Sequence, residues 1–196
     1  MNLWCSLTLL LALLTGTGAS ATTPRATIGF GTNCAACHEG ECSGRLSFAR
    51  QPRVAFDHIR RYAGPVDDEL ARQLYETLEQ MKSDCSYPPV QAPDPGREMG
   101  AGEIERYRDA WSSAYFLPLH GLRTVRYRLL ISFTGDGPVR IEVIDAKLDP
   151  LFDERLIVGD SPVTVTLPVS DPGHGYLRLR PCGELRIRKL RFEPVE

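Results

Sequence analysis

Hydrophobic and polar residues alternate with a period of two along most of the second half of the chain. The segment 125–133 shows this best, because every second residue is apolar: Val125, Tyr127, Leu129, Ile131 and Phe133. Such alternation indicates a strand with one buried face. Similar short patterns between Tyr115 and Phe192, separated by turns rich in Pro, Gly and Asp, predict about seven strands. We expect an antiparallel β-sandwich of jelly-roll type.

The first half of the chain has a helical period instead. Pro52 to Tyr62 and Val66 to Ser83 are the two predicted helices, and the second opens with three acidic residues, which favour a helix N-terminus. This second helix carries apolar residues at helical spacing on one face: Leu70, Leu74, Leu78 and Met81. The chain is therefore predicted to combine a small helical domain with an all-β domain.

A proline-rich stretch separates these two patterns. Residues 87–96 contain four prolines, a composition that disfavours both helix and strand pairing. The predicted division is residues 22–86 for the helical domain, 87–102 for a linker and 103–196 for the sandwich.

Residues 1–21 have the pattern of a secretory signal peptide. An apolar run from Leu7 to Leu14 precedes Ala19-Ser20-Ala21, a small-residue cleavage site. The run is shorter than the ~20 residues that a membrane-spanning helix needs. We expect a cleaved signal, an exported chain that is periplasmic or secreted, and no membrane span after cleavage. The formal net charge of −2 gives no indication of nucleic-acid binding.

The sequence Cys34-Ala35-Ala36-Cys37-His38 is the chain's strongest chemical motif. Two thiols separated by two residues and followed directly by an imidazole are typical of covalent haem attachment. The thiols add to the porphyrin vinyl groups, and the imidazole binds the iron. By this motif the chain resembles the c-type cytochromes, a resemblance that implies one covalently attached haem c, with Cys34 and Cys37 holding the ring and His38 as proximal ligand. A redox thiol pair, or a zinc site completed by Cys42, is the alternative.

The distal iron ligand is open at this stage. Met81 is the first candidate, because it lies 43 residues beyond His38 on the apolar helix face, a separation similar to that in small methionine-ligated cytochromes. His58 in the first helix is the second candidate and would give a lower potential. With neither, the iron would be five-coordinate and open to small ligands such as NO, CO or peroxide.

Cys5 would leave with the predicted signal peptide, so three cysteines remain besides the motif pair. In an oxidising compartment such cysteines can form disulfides. Cys42 and Cys85 are the predicted bridge within the helical domain, which leaves Cys182 as a buried thiol. The alternative is that all three are plain buried cysteines.

Two features of the predicted sandwich suggest binding. Four arginines on neighbouring strands would form one basic face suited to an acidic partner, unless nearby glutamates neutralise them: Arg178, Arg180, Arg186 and Arg188. Two histidines and two aromatic residues would form a sugar platform or reach the haem edge, unless they fill core and turns: His120, His174, Trp111 and Tyr115. The terminal strand from Leu185 to Phe192 resembles the last strand of carbohydrate-binding-type sandwiches.

The predicted function is that of a periplasmic monohaem electron-transfer protein whose sandwich docks it to a redox partner protein or a surface. No catalytic triad, carboxylate pair, P-loop or dinucleotide motif is visible in the sequence, so no enzymatic activity is predicted. The alternatives are a five-coordinate haem protein that binds a small ligand, and a polysaccharide-binding module that delivers electrons to a redox enzyme.

Overall fold

The computed structural model describes residues 23–39, 51–169 and 172–195. The predicted signal peptide and Cys42 lie outside these ranges. Five α-helices occur in the described residues: α1 Pro24–Asn33, α2 Ala35–His38, α3 Phe56–Ala63, α4 Asp68–Asp84 and α5 Ala101–Ile104. Two 3₁₀ turns, Pro52–Ala55 and Glu105–Tyr107, precede α3 and follow α5.

Eight strands follow the helices or lie between them: β1 Glu98–Gly100, β2 Tyr115–Leu122, β3 Arg126–Thr134, β4 Gly137–Asp145, β5 Pro150–Val158, β6 Val163–Pro168, β7 Gly173–Pro181 and β8 Arg186–Val195. They form two four-stranded sheets, with strand orders β1-β8-β3-β6 and β2-β7-β4-β5. Every pairing is antiparallel. The predicted antiparallel β-sandwich is confirmed.

The two sheets differ in how their outer faces are covered. In β3 alternate residues are buried, as the period-two pattern predicts for a strand with one solvated face. In β2 all five residues from Tyr115 to Leu119 are buried. The reason is that α1 packs on the outer face of this sheet, where Gly31 meets the ring of Phe116. The helices and the sandwich therefore share one continuous core.

The first helix, α1, has no counterpart in the sequence prediction. Its sequence PRATIGFGTN contains two glycines and two β-branched threonines, all of which lower helix propensity. It forms because Thr23 caps its N-terminus by accepting a hydrogen bond from the Ala26 amide, because Pro24 suits the first turn, and because seven of its ten residues are buried. Tertiary packing outweighs intrinsic propensity here.

The two helices predicted from the pattern are present with shifted ends. Asp67 accepts a hydrogen bond from the Leu70 amide at 2.7 Å and so fixes the start of α4. The helix ends at Cys85, which adopts the left-handed conformation with φ 50°. Cys85 is disulfide-bonded; its predicted partner, Cys42, lies outside the described residues.

The segment 87–102 is not an unstructured linker. Tyr87 and Val90 are buried in the shared core, and Glu98–Gly100 pairs with β8 as strand β1. Residues 87–96 contain neither helix nor strand, but the prediction that regular structure is absent up to residue 102 is wrong, because residues 98–100 pair. The prolines occupy residues 88–95, and the chain pairs once it has passed them.

The close contact between α1 and β2 makes a testable prediction. A Cβ atom on Gly31 would lie 2.6 Å from Cγ of the buried Phe116 ring, whereas on Gly29 the nearest atom would be Leu74 Cδ2 at 3.5 Å. We expect Gly31→Ala to lower the free energy of unfolding by about 1–3 kcal/mol. The matched Gly29→Ala should be neutral or stabilising by up to about 1 kcal/mol, because alanine favours the helix. Urea unfolding followed by circular dichroism compares them; equal effects would contradict the packing.

Candidate functional site

The C-x-x-C-H motif forms the junction between two consecutive helical segments. Cys34 ends α1, and its carbonyl accepts hydrogen bonds from the amides of Cys37 at 3.1 Å and His38 at 3.2 Å. This turn holds both thiols and the imidazole on the same short piece of backbone. Cys37 is exposed, while Cys34 and His38 are half-buried.

A cavity of about 370 Å³ adjoins this turn, and Cys34, Cys37 and His38 all line it. Its volume lies in the range of ligand pockets, about 300–1,000 Å³. The remaining walls come from α1, from the 3₁₀ turn with α3, and from α4, and they are mainly apolar: Phe30, Val54, Ala55, Ile59, Tyr62, Leu74, Tyr75 and Leu78, with Asn33, Gln51 and His58 as polar members.

His58 and His38 both line this cavity, and the centroids of their imidazole rings are 6.2 Å apart with the ring planes at 72°. Thiol sulfur and imidazole nitrogen are the groups that hold a c-type haem. These residues therefore fit a haem: Cys34 and Cys37 would hold it covalently, and His38 and His58 would supply nitrogen ligands to its iron.

Met81 occupies a different place. It lies on α4 one turn beyond Leu78, is completely buried, and is not among the residues that line the cavity. Leu74 and Leu78 on the same helix face do line it. Of the two distal candidates chosen from the sequence, the structure brings His58 to the cavity and places Met81 in the core.

The two motif thiols have different environments, which leads to a second prediction. Burial, then the negative charge of Asp109 and the neighbouring Cys37, raise the pKa of the Cys34 thiol to about 12. In the folded haem-free chain Cys34 should therefore react with maleimide at pH 8 much more slowly than the exposed Cys37. Mass spectrometry of partly labelled peptides measures this.

The raised pKa of Cys34 also determines how the stability of the haem-free chain depends on pH. An unfolded cysteine has a pKa of about 8.5. Because the raised pKa of Cys34 makes the folded haem-free chain hold this proton more tightly, the chain should lose stability as pH rises above that value. Equal labelling of both cysteines in the folded chain would contradict the burial of Cys34.

A buried arginine of the sandwich connects to the motif from the opposite side. Arg178 on β7 is 2% exposed, and its guanidinium donates to the Gly31 carbonyl at 2.5 Å and to the Glu39 carboxylate at 2.8 Å. Tyr87 also donates to Glu39, at 2.6 Å, and burial followed by the Glu39 charge raises the pKa of this phenol well above its usual range. Glu142 lies 3.5 Å from Arg178 on the other side. The residue after His38 is thereby anchored to the sandwich.

This network corrects the prediction of a basic face. Arg178 and Arg180 lie on β7 and belong to one sheet, whereas Arg186 and Arg188 lie on β8 in the other. Arg178 is buried, and Glu142 accepts from Arg180 at 2.6 Å. The four arginines do not form one surface for an acidic partner, because β7 and β8 separate into different sheets.

The residues proposed as a sugar platform also lie in different parts of the structure. Tyr115 is buried in the core. Trp111 is 61% exposed and borders a second cavity of about 410 Å³, which shares Asn33 and Leu74 with the first. His120 and His174 lie together in the sheet, their ring centroids 4.7 Å apart.

Two further sequence predictions concern cysteine chemistry and metals. Cys182 is a free thiol, but it is exposed and not buried as predicted. Within residues 23–39, 51–169 and 172–195, no group of three or more His, Cys, Asp and Glu side chains could hold a metal ion. A zinc site that includes Cys42 lies outside these ranges.

No helix in the same part of the chain is long and apolar enough to cross a membrane.

Comparison with known proteins identifies no family. No protein-family model matches the chain, and no curated protein matches it. Parts of solved structures are similar to it. A ruminal GH26 endo-β-1,4-mannanase is 10% identical with a TM-score of 0.38, and the match covers 55% of this chain and 27% of the mannanase. A GH115 4-O-methyl-α-glucuronidase with specificity for decorated arabinogalactans is 12% identical with a TM-score of 0.37, over 74% of this chain and 25% of the other.

A carbohydrate-binding module CBM36, solved with calcium and xylotriose, is 8% identical with a TM-score of 0.29; the match covers 41% of this chain and 73% of the module. The chain thus spans about a quarter of the length of the two enzymes. The β-sandwich itself is established by the strand pairing described above.

Proposed function

We propose that this chain is an exported, periplasmic monohaem c-type cytochrome that transfers electrons. The observation that supports the proposal is the mainly apolar cavity that the three motif residues line together with His58, whose ring centroid lies 6.2 Å from that of His38. Cys34 and Cys37 would hold one haem c through thioethers, His38 would bind the iron on the proximal side, and His58 would bind it on the distal side.

The residues around the cavity suit an electron carrier more than a catalyst. The haem supplies one-electron chemistry at its iron. With His38 and His58 both holding the iron, the chain would leave no ligand position for substrate or for a small ligand. Phe30, Leu74 and Leu78 keep water from the buried side. We therefore assign no enzymatic activity, and the five-coordinate alternative applies only if His58 does not bind.

The open side of the cavity supports the proposal of a redox partner protein. Val54 and Tyr62 border the cavity and are 63% and 54% exposed. Exposed apolar residues beside a redox centre would let a partner approach closely, and short distance favours electron transfer. We place the docking surface at this rim and not on the predicted arginine face.

Carbohydrate binding is a second candidate, supported by Trp111. Its ring lies over Gly64, where a Cβ would be 2.3 Å from it, and Arg25, Arg106 and Asp109 supply polar groups to the same cavity. An aromatic plate with polar neighbours suits a sugar ring. Titration with xylan and galactan fragments should quench Trp111 fluorescence; no change with any polysaccharide fragment would leave this candidate without support.

Covalent attachment tests the proposed function. The full chain should be produced with its leader in a host that matures c-type cytochromes, then denatured and extracted with acidic acetone. We expect the haem to stay on the polypeptide, and Cys37→Ala to lose the double linkage. The exposed Cys182→Ser is the matched control and should keep the haem. Complete extraction of haem from the unmodified chain would refute the proposal.

A further inference from the structure

The four histidines of the chain form two pairs with different spacings. His38 and His58 are 6.2 Å apart between ring centroids, while His120 and His174 are 4.7 Å apart with ring planes at 68°. The first pair lines the cavity beside the motif. The second pair lies outside the haem cavity and takes no part in the proposed electron transfer, so it needs its own explanation.

The backbone fixes the second pair. His120 lies on β2 and His174 on β7, which are adjacent antiparallel strands. Leu119 pairs with Gly175 and Leu122 with Gly173, so the two histidines are cross-strand neighbours at an irregularity of the ladder. Ladder hydrogen bonds on both sides hold the two Cα atoms in place, and only the imidazole rings remain to be oriented.

The spacing allows both rings to bind one metal ion. With metal–nitrogen bonds of about 2.0–2.1 Å, imidazole centroids lie about 4.5 Å apart at 90° and about 5.2 Å apart at the tetrahedral angle. The observed 4.7 Å lies between these values. Among divalent first-row ions, Ni²⁺ and Cu²⁺ bind nitrogen ligands most tightly.

Both rings are accessible to a metal ion from solvent. His174 is exposed and His120 half-buried. Gly121 beside it leaves open space on the strand. Because no third described carboxylate, thiol or imidazole completes a metal cluster, water or a second molecule would fill the other positions.

We propose that His120 and His174 chelate one divalent ion, Cu²⁺ or Ni²⁺, at a site separate from the haem. Two ligands held on adjacent strands bind as a unit, because binding the first brings the second to a high effective concentration. Loss of either histidine should therefore weaken the site by roughly tenfold or more.

The test is calorimetric titration of the full chain with NiCl₂. The unmodified protein should bind one more equivalent than His120→Gln and than His174→Gln, and the two variants should behave alike. Glu154→Gln is the matched control, because it removes an exposed potential metal ligand from β5 of the same sheet and should retain this equivalent. Ni²⁺ is chosen because it does not oxidise the thiols.

Electron paramagnetic resonance of the same proteins, with their free thiols alkylated and one equivalent of CuCl₂ added, gives an independent measurement. We expect hyperfine splitting from two nitrogens that falls to one or none in either variant. Unchanged Ni²⁺ stoichiometry in both variants, or a Cu²⁺ spectrum that is the same with and without His120, would overturn the proposal. Failure of this site would not bear on the proposed cytochrome function, because His120 and His174 lie outside the cavity that the motif lines, and covalent haem attachment is tested separately.

Discussion

Replacing Arg178 by methionine is expected to lower the free energy of unfolding by about 3–5 kcal/mol, the cost of removing one partner from a buried ion pair. The guanidinium is 2% exposed and lies between Glu39 and Glu142 while it donates to the Gly31 carbonyl. Without it, the Glu39 carboxylate and the Gly31 carbonyl would lose this buried donor, while Glu142 would keep its ion pair with Arg180. Urea unfolding of the full chain, monitored by circular dichroism, measures the change.

Arg188→Met is the matched control. Arg188 is also on a strand of the sandwich, but it is exposed, so its loss should change the unfolding free energy by no more than about 0.5 kcal/mol. Similar losses in the two variants would show that the buried position of Arg178 has no special energetic role.

The same contacts bear on whether the chain divides into two domains. The sequence predicts separable parts, cut within 87–102. Arg178, the Gly31–Phe116 contact and buried Tyr87 instead connect the helices to the sandwich through one core. We expect thermal unfolding of the full chain in one transition seen by both haem absorbance and far-ultraviolet circular dichroism. Two separate transitions would restore the two-domain interpretation.

The second large effect concerns the iron ligands. His58→Ala should convert a six-coordinate haem to one with an open position, so the reduced protein should bind CO rapidly, while Met81→Leu should not. The reason is that His58 borders the cavity opposite His38, whereas Met81 does not border it. Because Met81 is completely buried, leucine conserves volume there and should cost less than about 1.5 kcal/mol.

The opposite result would identify the other ligand. If Met81→Leu opened the iron and abolished the near-infrared charge-transfer band of Fe(III)–methionine, Met81 would have to reach the iron by a rearrangement of α4. His58→Ala would then leave CO binding unchanged.

The comparison between sequence and structure shows where local patterns suffice. The strand 126–134 was predictable because one of its faces is solvated and the alternation is therefore visible. Helix α1 was not, since Gly31 is required by close packing on Phe116, a residue 85 positions away. The same long-range burial removed Arg178 from the surface, although its sequence neighbours gave no sign of this.

The candidate site also combines features set by local sequence with features set by long-range packing. The motif predicted which side chains would meet, because Cys34, Cys37 and His38 are adjacent in sequence. The choice of distal ligand depends on how α3 and α4 pack around the cavity, and helical spacing alone favoured a methionine that points into the core. A histidine beside an apolar helix face was the one available signal for His58.

The most direct test of the central claim is the electron paramagnetic resonance and visible spectrum of the purified ferric full-length protein. A haem held between His38 and His58 should give a low-spin ferric signal, no methionine charge-transfer band, and no change on adding CO after reduction. A high-spin ferric signal with rapid CO binding, or a purified protein without haem, would contradict the account.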